Sequence, residues 1–346
     1  MNEESDVLRP LSFDKDQADE MQPVRPLSFD KDQADETQPA RPLSSDKDQA
    51  DETQPTIDEK NFVPLIPGTI DDIRHQDSNF VFFFGVSDAG KTVILSAILY
   101  YLATQEGSFG VKDGTENTKE ALALFEDLYS YLKRGRFPAR TTKDKVTRLD
   151  LVFTPNNKSI KVGPINLTFL ETAGGNHQEV RKGGKYHGSI DAYLNASIPL
   201  YIIIVARFDT AANDDILIDS FFRLLQSKPN LKLYNVLLVI SQWDKSGDNN
   251  APDDNDVDSF VKTKLPLTNK RFDTFQFPVT YFSIGTVEEH VVINEKTNKK
   301  EKIDIINPVD LTSAKKLSYW LYQSIVKVPL NYPGTFWERI KFSLRR

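Results

Sequence analysis

One stretch of this chain, Gly85-Val86-Ser87-Asp88-Ala89-Gly90-Lys91-Thr92, has the residue types and spacing to hold a phosphate group. Glycine at both ends lets the backbone turn sharply and bring its N–H groups against phosphate oxygens. Lys91 offers a compact positive charge for the β- and γ-phosphates, and Thr92 a hydroxyl suited to Mg²⁺. Gly85, Ser87, Asp88, Ala89, Gly90, Lys91, Thr92 and Val93 are the anion-binding residues this pattern predicts.

The flanks support that reading. Residues 79–84 (NFVFFF) are apolar almost throughout, as in a strand buried on both faces. Downstream, Ile94, Leu95, Ile98, Leu99 and Leu102 recur at three- and four-residue spacing, which predicts a helix from Thr92 with one buried face. The start of such a helix adds partial positive charge at the same point. Strand, G-x-x-x-x-G-K-T loop and helix, in that order, make a P-loop.

Further apolar strands are expected at 146–153, 165–170, 200–206, 234–240 and 279–283, with helical patterns near 214–225 and 310–326. Strands alternating with helices predict an α/β three-layer sandwich, a mostly parallel sheet with helices on both faces. Residues 105–135 read as a partly helical insertion, and 287–306 as a β-hairpin with a charged tip.

From 76 to 328 the chain resembles the Ras-like P-loop GTPases of the TRAFAC class. The strand at 165–170 ends in Glu171-Thr172-Ala173-Gly174, similar to the Asp-Thr-Ala-Gly box. In that box the acid holds Mg²⁺ through a water and the glycine N–H senses the γ-phosphate, so the resemblance gives these roles to Glu171 and Gly174. Glutamate for aspartate is a departure by one methylene. The strand at 234–240 ends in Ser241-Gln242-Trp243-Asp244, which resembles the Asn/Thr-Lys-x-Asp box that reads guanine. A carboxylate at Asp244 could accept both N1–H and N2–H₂ of guanine, a pair adenine does not offer. Gln242 in place of lysine shortens the stem that packs over the base, which implies a weaker grip. Ser283-Ile284-Gly285 is similar to the loop that supports the base through backbone N–H groups.

The resemblance also implies a switch threonine that reaches Mg²⁺ and the γ-phosphate. Thr141 fits best, with Thr142 as its rival. Arg140 and Arg136 lie nearby, where an arginine could neutralise transition-state charge; a solvated basic loop is the competing reading. The water-orienting glutamine has no direct counterpart, since Gly175 follows Gly174, and His177 or Gln178 is the available substitute. Slow intrinsic hydrolysis, helped by a protein partner or self-association, follows. Asp88 stands where some relatives hold a monovalent cation, with surface solvation as the alternative. The segment 137–141 (FPART) and the Ser-Ile-Gly loop most resemble the bacterial double-GTPase type linked to conflict systems. GTP or GDP with Mg²⁺ is the implied ligand set. An ATP-using P-loop enzyme, with Glu171 or Asp209 as its metal acid, and a binding scaffold with little turnover remain as alternatives.

Composition bounds what else the chain can do. It has 346 residues, 39% of them hydrophobic, enough for a sizeable core. There is no cysteine, which excludes disulfides, thiolate metal sites and thiol nucleophiles, and four scattered histidines give no zinc pattern. Residues 1–60 hold 7 Lys/Arg against 17 Asp/Glu, while the rest holds 36 against 33, so no nucleic-acid partner is expected.

Residues 1–60 repeat with a period of 16, starting at Arg9, Arg25 and Arg41. Each copy has too little apolar surface to offset the entropy of ordering it, so a disordered arm is expected. It is either a spacer or a docking motif, with Ser12, Ser28 and Ser44 in matching places. The P-loop domain is placed at 61–330. The tail, 331–346, mixes Phe336, Trp337, Ile340, Phe342 and Leu344 with basic residues, for docking on the domain or contact with a membrane surface. No signal peptide is expected, and the greasy runs at 80–86 and 198–206 are too short to cross a bilayer. A cytoplasmic location is the default expectation.

Overall fold

A computed structural model describes residues 70–111, 118–138, 146–157, 159, 162–172, 180, 188–228, 230–247, 251–294, 299–332, 334 and 337. The repeat arm, Arg140, Thr141, Thr142, Ala173 to Gln178 and most of the tail lie outside the described residues.

Seven strands form the main sheet: β1 Asn79–Phe84, β2 Gly107–Val111, β3 Val146–Pro155, β4 Ile165–Thr172, β5 Leu200–Arg207, β6 Tyr234–Ser241 and β7 Val279–Tyr281. Their order is β2-β3-β4-β1-β5-β6-β7. The five strands from β4 to β7 are parallel, β3 pairs antiparallel with β4, and β2 pairs antiparallel with β3. The helices are α1 Ile70–Arg74, α2 Lys91–Tyr101, α3 Thr118–Lys133, α4 Gly188–Asn195, α5 Ala211–Gln226, α6 Asp254–Lys264, α7 Pro266–Phe275 and α8 Thr312–Val326.

Alternation along β1 shows why the sheet must be covered twice. Val81 and Phe83 point into a core with α2, α3 and α8. Phe80, Phe82 and Phe84 point into a second core with α1, α4, α5, α6 and α7. With side chains emerging on alternate faces and almost every one apolar, neither face can meet water. The result is the expected α/β three-layer arrangement.

Two departures have local causes. The insertion after α2 begins with a π-helical turn, Leu102–Glu106, and then β2, which the sequence reading left out. Glu106 Oε1 accepts from the Tyr101 hydroxyl at 2.7 Å and the Tyr319 hydroxyl at 2.9 Å, tying this turn to α8. Helices α6 and α7 are polar, and their starts are fixed by hydrogen bonds rather than by apolar pattern. Asp253 and Asp256 form a capping box at α6. No side chain in its own approach caps α7. Buried Asp215, on α5, does so: it accepts from Leu267 N at 3.0 Å, Thr268 N at 2.8 Å and Thr268 Oγ1 at 2.7 Å.

Between β7 and α8 the chain makes the expected hairpin, β8 Gly285–Asn294 with β9 Lys299–Val309, as a separate two-stranded ribbon. Among the described residues, no helix is long and apolar enough to cross a membrane.

Candidate functional site

The central strand β1 lies between β4 and β5, where the chain departs to opposite sides of the sheet. In open α/β sheets the crevice at the carboxyl ends of such strands is where ligands settle. The loop 85–90 sits there. At Gly85 (φ +156°) an added Cβ would lie 2.4 Å from the Val205 carbonyl oxygen, so the loop can leave β1 against β5 only without a side chain. Gly90 (φ 80°) then takes the left-handed conformation that starts α2, and no side chain caps this helix. Its first N–H groups lie at the loop, with no side-chain cap among the described residues.

Lys91 is the first residue of α2 and is buried. Its Nζ donates to Gly85 O at 3.0 Å and Val86 O at 2.8 Å, folding the ammonium back inside the loop. Burial lowers its pKa to about 8, against the opposing pull of the Glu171, Asp88 and Asp214 carboxylates. Thr92 Oγ1 donates to Glu171 Oε1. The register explains this meeting: Phe83 of β1 stands beside Glu171 of β4, so the carboxylate arrives level with the start of the loop. Glu171 is 3% exposed. Lys91, Thr92 and Glu171 thus gather at one point.

The structure adds two groups that the sequence reading missed. Buried Asp214, in the first turn of α5, accepts from the Arg207 backbone N–H at 3.2 Å. Arg207, at the end of β5, reaches Asp209 with both Nε and Nη2, at 2.9 and 2.7 Å. A polar residue inside an apolar helical pattern was the available signal for Asp214; Arg207 had none. Asp209 also accepts from Lys245 Nζ at 3.1 Å. These cations pull its pKa down to about 2, Arg207 first. Glu171, not Asp209, is the acid set against Thr92.

The second loop of the site follows β6. Gln242 adopts φ 57°, and its Nε2 donates to Asp88 O at 2.9 Å, joining this loop to the loop 85–90. Its buried Oε1 has no hydrogen-bond partner among the described residues. Ser241 Oγ donates to Ala206 O at 3.2 Å. Trp243 is held by Phe208, Phe260 and Tyr281 at ring distances of 5.1 to 5.9 Å. Asp244 follows this anchor. The residue is exposed as a whole, yet its neighbours desolvate the carboxylate enough to raise its pKa.

The third loop follows β7. Trp243 N donates to Phe282 O at 3.2 Å, which sets 241–244 beside 282–285. The Ser283 N–H donates to Ser313 Oγ at 3.2 Å, Ile284 is buried, and Gly285 opens β8. Arg136 lies away from this group, bridged to Ile305 of the ribbon. Val93 packs against the core on the α2 side. Arg140, Thr141, Gly174, His177 and Gln178 are outside the described residues.

No protein-family model matches the sequence, and no curated relative does. Among solved structures, a chain of the signal recognition particle receptor SRb-GTP/SRX complex from Chaetomium thermophilum is similar over 60% of this chain and 90% of its own, with 15% identity and a TM-score of 0.34. A likeness that slight carries no function across.

Proposed function

We propose that this chain binds a guanine nucleoside triphosphate with Mg²⁺ and hydrolyses it slowly, acting as a molecular switch. The observation that carries the reading is the meeting of Lys91, Thr92 and Glu171 at the end of β1, from segments 79 residues apart. A buried ammonium, a hydroxyl and a carboxylate beside an uncapped helix start suit a triphosphate and its metal.

The donor set fits Mg²⁺, a hard cation that takes oxygen ligands and keeps several waters. Thr92 Oγ1 would bind it directly and Glu171 through a water. When bound, the ion neutralises charge on the β- and γ-oxygens. The protein's own part is to hold the triphosphate with the N–H groups of 85–93 and to place the Lys91 ammonium on its terminal oxygens. In hydrolysis a water oxygen bonds to the γ-phosphorus as the bond to the β–γ bridging oxygen breaks. Gly174, Thr141, Arg140 and either His177 or Gln178 are the proposed γ-phosphate and water-handling groups. Asp244 would accept the guanine N1–H and N2–H₂ edge, with 283–285 behind the base. A monovalent cation beside Asp88 and a double-GTPase role in conflict systems are the finer parts of the same proposal.

Direct titration with GTP, GDP and ATP, with and without Mg²⁺, tests this, beside phosphate release from GTP. Lys91→Ala removes charge-assisted hydrogen bonds worth about 1.5–3 kcal/mol each, so binding should weaken at least about tenfold. Equal phosphate release by parent and variant would leave only a scaffold, and preference for ATP would end the guanine assignment.

A further inference from the structure

The ribbon β8–β9 has no part in the nucleotide reading, and its two edges are built differently. Its base is secured. Ile306 is buried and its N–H donates to Gly135 O at 2.8 Å, while Ile305 bridges Arg136. Further out, residues 286–291 are all exposed, with Val287 at 38% and Val291 at 59%. The edge of β9 is protected: Arg136 lies on it, and the strand carries Lys299, Lys300, Lys302 and Pro308. Lysine and proline are what keep an edge from recruiting another strand. β8, GTVEEHVVIN, has neither. Among the described residues no strand pairs with its outer edge. A two-stranded ribbon standing alone is marginal in water, and three or more strands with an apolar face are the stable form.

We propose that β8 is a self-association edge: two copies of this chain pair their β8 strands antiparallel about a two-fold axis, making a four-stranded sheet β9–β8–β8–β9. The charge pattern selects a second copy as the occupant. Glu288 and Glu289 lie on the inner half of β8, whereas Lys300 and Lys302 face its outer half from β9, opposite Ile293 and Val291. Antiparallel pairing sets the acidic half of each ribbon against the basic half of the other, twice by symmetry. A parallel arrangement would set acid against acid. Lys302 Nζ already meets Glu289 Oε1 at 2.7 Å within one ribbon, with both side chains well exposed. Pairing extends that contact into a ladder across the joint. Val287, Glu289 and Val291 share one face by strand alternation, so the exposed valines of both copies lie on one face of the joined sheet. Pairing open edges in this way uses main-chain hydrogen bonds for affinity and alternate side chains for specificity.

The chain contains no cysteine, so single-cysteine variants report position cleanly. Glu288→Cys, Glu289→Cys, His290→Cys and Val291→Cys are made in the full chain and oxidised mildly, with Ile216→Cys as an exposed control on α5 (51% exposed). A two-fold axis through β8 produces a covalent dimer at one or two neighbouring positions and none from the control. In sedimentation the parent has twice the chain mass, and Val287→Lys with Val291→Lys brings it to one. Both residues are exposed, so the double variant keeps the parent's fold by circular dichroism and loses only the stability that association supplied. A parent that is monomeric at high micromolar concentration, or cross-linking on β8 no greater than the control, overturns the proposal. So does a dimer that survives the double lysine variant. None of these outcomes touches nucleotide binding, so the two proposals fail separately.

Discussion

At the phosphate end, Lys91, Thr92 and Glu171 converge on one point beside an uncapped helix start. At the base end, the polar groups are directed back into the protein. Ser241 Oγ serves Ala206 O, Ser283 N–H serves Ser313, and the Gln242 amide serves Asp88 O. Asp244 is left as the group able to address a base. The difference teaches where binding energy would come from: main-chain amides and one buried cation at one end, a single carboxylate at the other. On the proposed function, such a site would hold phosphates firmly and read the base through few contacts.

The comparison is broken most severely at Gly85. Gly85→Ala forces a Cβ to within 2.4 Å of a backbone oxygen of β5, and something in the sheet must move. We expect a loss of about 1–3 kcal/mol in stability and loss of nucleotide binding, read by chemical denaturation and titration. An unchanged midpoint would mean the loop is not wedged against β5. Asp244→Asn tests the base end. Losing the charge-assisted bond to the guanine amino group should erode the preference for GTP over ITP by about 1.5–3 kcal/mol. Retention of the parent preference in competition assays would remove Asp244 from the site.

A pH series sharpens the phosphate side. Lys91 in the free protein loses its proton near pH 8, because burial disfavours its charge. A bound anion favours the charged form and raises that pKa, so binding takes up a proton above pH 8. Affinity should be flat below pH 8 and fall by at most about tenfold per unit above it. Calorimetry in buffers of different ionisation enthalpy checks the uptake, and a flat profile to pH 10 would exclude Lys91 as the counter-charge. The smallest effect belongs to Gln242→Ala. It removes the tie to Asp88 O but also an unpartnered buried Oε1, so a net cost below about 1 kcal/mol is expected from the same titration.

Much of this was readable in the sequence wherever burial writes a pattern. The mostly apolar β1, β5 and β6 and the loop 85–92 needed no tertiary knowledge, and Glu171 was singled out because the box that follows β4 resembles Asp-Thr-Ala-Gly. What escaped depends on partners distant in sequence. β2 is GSFGV, with two glycines and little to bury, and it exists because β3 offers an edge. Asp214 and Arg207 came to light only once β5 and α5 were joined. The Gln242 amide was read as a shortened stem over a base, and its bond to Asp88 required knowing that the two loops touch.

The carboxylate of Asp215 has a consequence for how the molecule comes apart. It accepts the first N–H groups of a helix, the nearest of them 52 residues later in the chain. That helix cannot satisfy its first N–H groups as a free segment, since neither Leu265 nor Pro266 has a side-chain acceptor to cap them. Its amide protons should therefore exchange together with those of 211–226, in one cooperative opening, and the pair constitutes a single foldon despite the strand and helix threaded between them.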